Sequence, residues 1–143
     1  MDHWSKGART LHGMQSNRFP NCLFIMSILQ SGFAVNFTHG LGDTAKDLAT
    51  IISRSRQEGI NAVEASEEAE ADWVGRVLDE AGARGGFMES FSPGDYNNEG
   101  KPGESSTQNE YFVGEPGKFR QILKNVQTDR GLTRLEIRRR NAN

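Results

Sequence analysis

The chain is short of most features that would announce a chemistry. A single cysteine, Cys22, excludes an internal disulfide. The three histidines, His3, His12 and His39, show no ligand spacing with one another or with Cys22, so no metal centre is expected. No run approaches the ~20 consecutive apolar residues that a membrane helix needs. The opening Met1-Asp2-His3-Trp4 lacks the charged-then-apolar order of a secretory signal. A cytoplasmic chain without a membrane partner is the expectation. Basic excess is also missing: 17 Lys and Arg against 19 Asp and Glu leave a net charge of −2, which argues against a nucleic-acid partner. Arg138-Arg139-Arg140 is a local basic run and reads as a solvated tail. The serines form no G-x-S-x-G elbow. Gly13, Gly40 and Gly42 form no G-x-G-x-x-G loop, and Gly82-Ala83-Arg84-Gly85-Gly86 follows a helical pattern where the fingerprint requires a strand. No catalytic residue and no metal ligand can be named, and no internal repeat is present.

What is present is enough for a core. The hydrophobic fraction is 35%, and glycine brings it to about 45%, near the globular norm. Residues 1–21 read as an irregular lead-in closed by Phe19-Pro20-Asn21. Proline biases Phe19 away from helix, so a new element starts after it. Cys22 to Met26 is an apolar run without alternation, as in a strand covered on both faces, with Cys22 a small buried thiol. Ala45, Leu48, Ala49, Ile51 and Ile52 form a helical stripe, with Asp43 and Thr44 as caps and Gly59 as stop. A second helix is clearer. Ala69, Trp73, Val74, Val77, Leu78 and Ala81 line one face, Ser66 caps the start and Gly82 follows the end. Glu67, Glu68, Glu70 and Asp72 crowd its start, where exposed carboxylates complement the helix dipole. From Gly82 to Gly117 the chain is rich in Gly, Ser, Pro and Asn, longer than an ordinary loop. Phe119, Ile122, Leu123 and Val126 mark a third helix, Gly131 ends it, and Leu132 to Ile137 form a final strand.

Four segments, in order, carry a resemblance. The first is Trp4-Ser5-Lys6-Gly7-Ala8-Arg9-Thr10-Leu11-His12-Gly13-Met14, closed by Phe19-Pro20-Asn21. The second runs from Gln30 to His39. The third is Asp72-Trp73-Val74. The fourth is Ser92-Pro93-Gly94-Asp95-Tyr96-Asn97-Asn98-Glu99-Gly100, followed by Tyr111, Gly114 and Phe119. Together they resemble the C-terminal part of the flavin-dependent Baeyer–Villiger monooxygenases over residues 4 to about 135. The sequence departs from that pattern at Asp95, where a tyrosine is usual, at Phe91, where a cysteine is common, and at Asn125-Val126, in place of a tryptophan.

The resemblance implies an α/β fold: a C-terminal fragment of a flavoprotein with two dinucleotide-binding domains, holding one buried strand, two to three helices and an extended tail. Residues 1–60 would be the last part of the FAD domain, and 61–143 a C-terminal helix and wrapping tail. It implies a parent that uses FAD, NADPH and O2 to insert oxygen beside a ketone carbonyl, giving an ester or lactone in secondary metabolism. Asn36 and Phe37 would be the flavin-facing pair, with Leu29 and Gln30 nearer the ketone substrate. The family's F-x-G-x-x-x-H-x-x-x-W/F-P signature and its peroxyflavin-stabilising arginine are absent from the 143 residues. The chain alone is therefore expected to bind neither FAD nor NADPH and to be inactive. Two alternatives stand beside this: a non-catalytic partner subunit docking on a separate chain that supplies the dinucleotide domains, and an inactive gene remnant.

Overall fold

The structure, a computed structural model, describes residues 3–25, 30–32, 37–83, 92–93, 112, 117–128 and 132–139. Its elements are α1 (Phe37–Gln57), β1 (Ile60–Ala65), α2 (Glu67–Ala83), α3 (Lys118–Thr128) and β2 (Leu135–Arg139). Helices and a small sheet give the α/β character expected.

α1 starts earlier than its apolar stripe suggests, so Asp43 and Thr44 lie inside the helix and cap nothing. Its buried face is Thr44, Asp47, Leu48, Ile51 and Ser55, while Ala45 and Ala49 are exposed. The stripe was misplaced because three of those five inward positions are polar. Arg54 and Arg56 occupy the last turn, where a helix C-terminus favours positive charge. Gly59 then takes a left-handed φ of 65°, the conformation that ends helices and that only glycine adopts without strain.

β1 follows at once and pairs antiparallel with β2, setting Val63 opposite Ile137 and Ala65 opposite Leu135, with an irregularity between Ile60 and Ala62. Arg138 and Arg139 belong to this strand. They reach Glu64 (3.0 Å) and Glu58 (3.2 Å) across the ladder, so two of the three tail arginines are sheet residues with partners. Arg140 lies outside the described residues.

The strand expected at Cys22 to Met26 does not form over residues 22–25, and Met26 lies outside the described residues. Cys22 is exposed, Ile25 is 60% exposed, and among the described residues the segment's backbone amides bond Phe19 O from Cys22 N (3.1 Å) and Met14 O from Phe24 N (2.8 Å). An apolar run reports hydrophobicity alone; a strand also needs a neighbour presenting a free edge.

α2 begins at its expected cap: Ser66 Oγ accepts from Ala69 N (3.2 Å), satisfying one of the unpaired first-turn donors. Gly82 lies within the helix, not after it. Ala69, Trp73, Val74 and Val77 are buried as the spacing predicts, but Leu78 is 38% exposed. Trp73 and Val77 centre a cluster with Leu11, Ala65, Ala69 and Phe112. A second cluster joins Met14, Leu48 and Leu123, and a third joins Ile51, Ile60 and Val63. Each therefore ties a helix either to the sheet or to the lead-in. Of the Gly85–Gly117 stretch, residues 92, 93, 112 and 117 are described; the expectation for the rest lies outside them.

Candidate functional site

The lead-in, expected to be irregular, is the most deeply buried stretch of backbone: Leu11 through Asn17 are all buried. A tight turn closes it, with Leu11 N donating to Gln15 O (2.7 Å), and His12 and Gly13 take left-handed φ values of 56° and 72°.

Two buried polar groups anchor this turn to α2. Glu70 is fully buried. Its Oε1 accepts from Asn17 N (2.8 Å) and lies 2.9 Å from Ser16 Oγ. Its Oε2 accepts from Arg9 Nε (3.2 Å) and meets His3 Nε2 at 2.9 Å. Glu70 is thus no exposed dipole partner, unlike Glu67 and Glu68; it satisfies backbone and side-chain donors that have no water. Its position betrays it, since residue 70 falls on the same helical face as Trp73, Val74 and Val77.

The second anchor is Gln30. Its Oε1 accepts from Thr10 N (2.8 Å) and Thr10 Oγ1 (2.7 Å), and its Nε2 donates to Ala8 O (2.6 Å). Its own carbonyl accepts from Trp73 Nε1 (2.9 Å), and its φ is 62°. The Gln30 side-chain amide, expected near a substrate, bonds the lead-in at Ala8 and Thr10. Next to it, Phe112 N donates to Ser31 O (2.9 Å), and Gly32 packs so closely on the Phe119 ring that a β-carbon there would collide.

These contacts fix the turn at 30–32, ahead of the stretch 33–36 and the first residue of α1, Phe37. Leu29 and Asn36 lie outside the described residues, and of Phe37 the backbone alone is described. No acidic residue stands in the first turn of α1, so its amide end keeps the positive field of a helix N-terminus.

The described residues do not make a dinucleotide cradle. Gly40-Leu41-Gly42-Asp43-Thr44-Ala45 has the glycine spacing, but it sits inside α1, with its amides turned into the helix. The strand-to-helix unit β1–α2 turns at Ser66 without glycine and carries Glu67, Glu68 and Glu70 in the first turn. A pyrophosphate would meet carboxylates where it requires bare amides. Among the described residues no group of His, Cys, Asp and Glu could hold a metal ion, and no helix is long and apolar enough to cross a membrane.

The described unit, a buried turn ahead of a long helix, has counterparts in known proteins. The polycyclic ketone monooxygenase of the thermophilic fungus Thermothelomyces thermophila contains it: the two superpose with a TM-score of 0.81 at 27% identity, over 96% of this chain and 22% of that one. The pentalenolactone D synthase of Streptomyces arenae is 40% identical over 137 residues, 96% of this chain and 23% of that protein. A Baeyer–Villiger monooxygenase of Streptomyces coelicolor is 38% identical over 101 residues, covering 70% of this chain and 16% of its own length. No family model matches the sequence. The chain belongs to the flavin-dependent Baeyer–Villiger monooxygenases, as a section of their C-terminal part. It spans about a quarter of the length of the curated relatives it matches.

Proposed function

We propose that this chain is the section of an FAD- and NADPH-dependent Baeyer–Villiger monooxygenase that closes the flavin and ketone crevice, and that it is inactive alone. The observation that carries the reading is the anchoring of residues 30–32. Gln30, Trp73, Phe112 and Phe119 hold the turn ahead of the stretch 33–36 against the core. A turn anchored in this way can aim the residues that follow it at a ligand with less ordering left to do on binding.

In this reading Asn36 and Phe37 face the flavin, the amide bonding its edge and the phenyl ring packing on it. Leu29 flanks the ketone. Gln30 lies nearer the ketone as well, and its side-chain bonds to Ala8 and Thr10 fix the turn there. The cofactor, when bound by the whole enzyme, supplies the oxygen chemistry; this section supplies position. The product is an ester or lactone of a secondary-metabolite ketone, as the synthase relatives suggest. A cytoplasmic location accords with the reading.

The test is the purified chain itself. No flavin absorbance should accompany it, and it should not oxidise NADPH with or without added FAD. Flavin co-purifying in a one-to-one ratio would overturn the proposed inactivity and reveal a cradle elsewhere in the chain.

A further inference from the structure

A cavity separate from the 33–36 stretch lies between the lead-in turn, α1, α2, α3 and the approach to β2, with a volume of about 240 Å³. Leu11, Met14, Ile51 and Ile122 supply apolar wall. On its floor His12 Nε2 and Gln15 Nε2 are buried without a hydrogen-bond partner among the described residues, in side chains that are each 2% exposed. A buried polar atom without a partner is costly, so two in one cavity call for an occupant. At the rim stand the exposed Arg76 of α2 and Arg134 just before β2, neither with a carboxylate partner among the described residues. Both guanidinium groups act on His12 and, together with burial, push its pKa down to about 3, so the ring is neutral and can present an N–H at Nε2.

The groups thus converge as donors: two guanidinium forks, one amide and one imidazole, above apolar walls. Water could satisfy the amide and the imidazole, whereas an anion would satisfy them and also meet the two guanidinium groups at the rim, of which Arg76 also borders Asp79 and Glu80 in an adjoining pocket. The complement is a group rich in acceptors and negatively charged, on a small apolar body. We propose that this cavity is a binding site for a small organic anion, its carboxylate or phosphate held by Arg76, Arg134, Gln15 and His12. The proposal stands on the cavity alone and survives failure of the monooxygenase reading.

The experiment titrates the isotopically labelled 143-residue chain with inorganic phosphate and, separately, with butyrate, at constant ionic strength set by chloride. Expected is saturable movement of the Gln15 side-chain amide signal with at least one of the two probes. A tighter response to butyrate identifies a carboxylate ligand, and a tighter response to phosphate a phosphate ligand. Arg76→Gln and Arg134→Gln, both at exposed positions, should each weaken binding at least tenfold, Gln15→Met should weaken it with the cavity volume kept, and Arg56→Gln on α1 should leave it unchanged. No saturable response to either probe overturns the proposal. So does an equal response to chloride, or affinity that Arg76→Gln, Arg134→Gln and Gln15→Met all leave intact.

Discussion

Replacing Glu70 with alanine should be among the most damaging single changes in the chain. The carboxylate is fully buried and gathers Asn17 N, Ser16 Oγ, Arg9 Nε and His3 Nε2 within 2.8–3.2 Å. Glu70→Ala removes the shared acceptor, leaves the buried Asn17 amide and Ser16 hydroxyl without it, and takes from Arg9 its carboxylate partner. Breaking a buried pair in this way costs ~3–5 kcal/mol. Glu70→Gln keeps the shape and one acceptor oxygen but sets an amide N–H₂ against other donors, and should cost about 1.5–3 kcal/mol. Arg9→Ala should cost clearly less than Glu70→Ala, because its side chain is 28% exposed and water can replace its one bond. Thermal unfolding followed by circular dichroism reads the series. At about 2–4 °C per kcal/mol for a domain near this size, Glu70→Ala should lower Tm by roughly 10 °C, with Glu70→Gln between it and wild type. The reasoning fails if Glu70→Ala shifts Tm by no more than a surface control such as Glu67→Ala.

Trp73→Ala, which empties the centre of the largest cluster and orphans the Gln30 carbonyl, should cost ~3–5 kcal/mol; a loss under about 1 kcal/mol in denaturant titration would deny Trp73 its central place. Gly32→Ala drives a methyl into the Phe119 ring and should cost about 1–3 kcal/mol, whereas Gly42→Ala, with open space around it, should be neutral or slightly stabilising; equal effects would contradict the packing. His12, with a folded pKa of about 3 against an ordinary 6.5, binds its proton more readily when unfolded, so its share of stability is whole above pH 6.5 and is lost as pH falls toward 3. That loss is on the order of 1 kcal/mol at pH 5.5 and on the order of 3 kcal/mol at pH 4.5, and His12→Asn, which tolerates the left-handed backbone, should flatten the slope across that window. In a whole enzyme carrying this section, Phe37→Ala should uncouple NADPH oxidation from product while costing well under the ~3–5 kcal/mol of a core phenylalanine; a collapsed Tm with unchanged specific activity of the folded fraction would return Phe37 to the core.

Helix α2 was legible because its cap, apolar stripe and aromatic anchor agree: Ser66, Trp73 and Val77 stand where the period places them. α3 was found from its apolar stripe, and the final strand was found but shifted, running Leu135–Arg139 where Leu132 to Ile137 was expected. α1 was found but rotated, since Thr44, Asp47 and Ser55 face inward and a hydrophobic period cannot register polar residues that pack. β1 went unread: Ile60-Asn61-Ala62-Val63-Glu64-Ala65 has one buried glutamate and an irregular register, which blurs alternation. The lead-in misled most. Its burial is sustained by hydrogen bonds to Glu70 and Gln30, residues far along the chain, and no local pattern announces a partner at that distance. The candidate site was reached through the ordered family segments; its supports, Thr10, Gln30 and Trp73, were visible as residues but not as a network.

The central claim, that this section completes a Baeyer–Villiger monooxygenase, is tested most directly by transplanting it. Residues 4–139 would replace the matching section of the Streptomyces arenae pentalenolactone D synthase, and oxygenated product would be measured per NADPH consumed on that enzyme's own ketone. Product formation above that of the synthase lacking the section, and falling when Asn36 and Phe37 are both changed to alanine, is the predicted result. A folded, flavin-loaded chimera that forms no ester or lactone would contradict it.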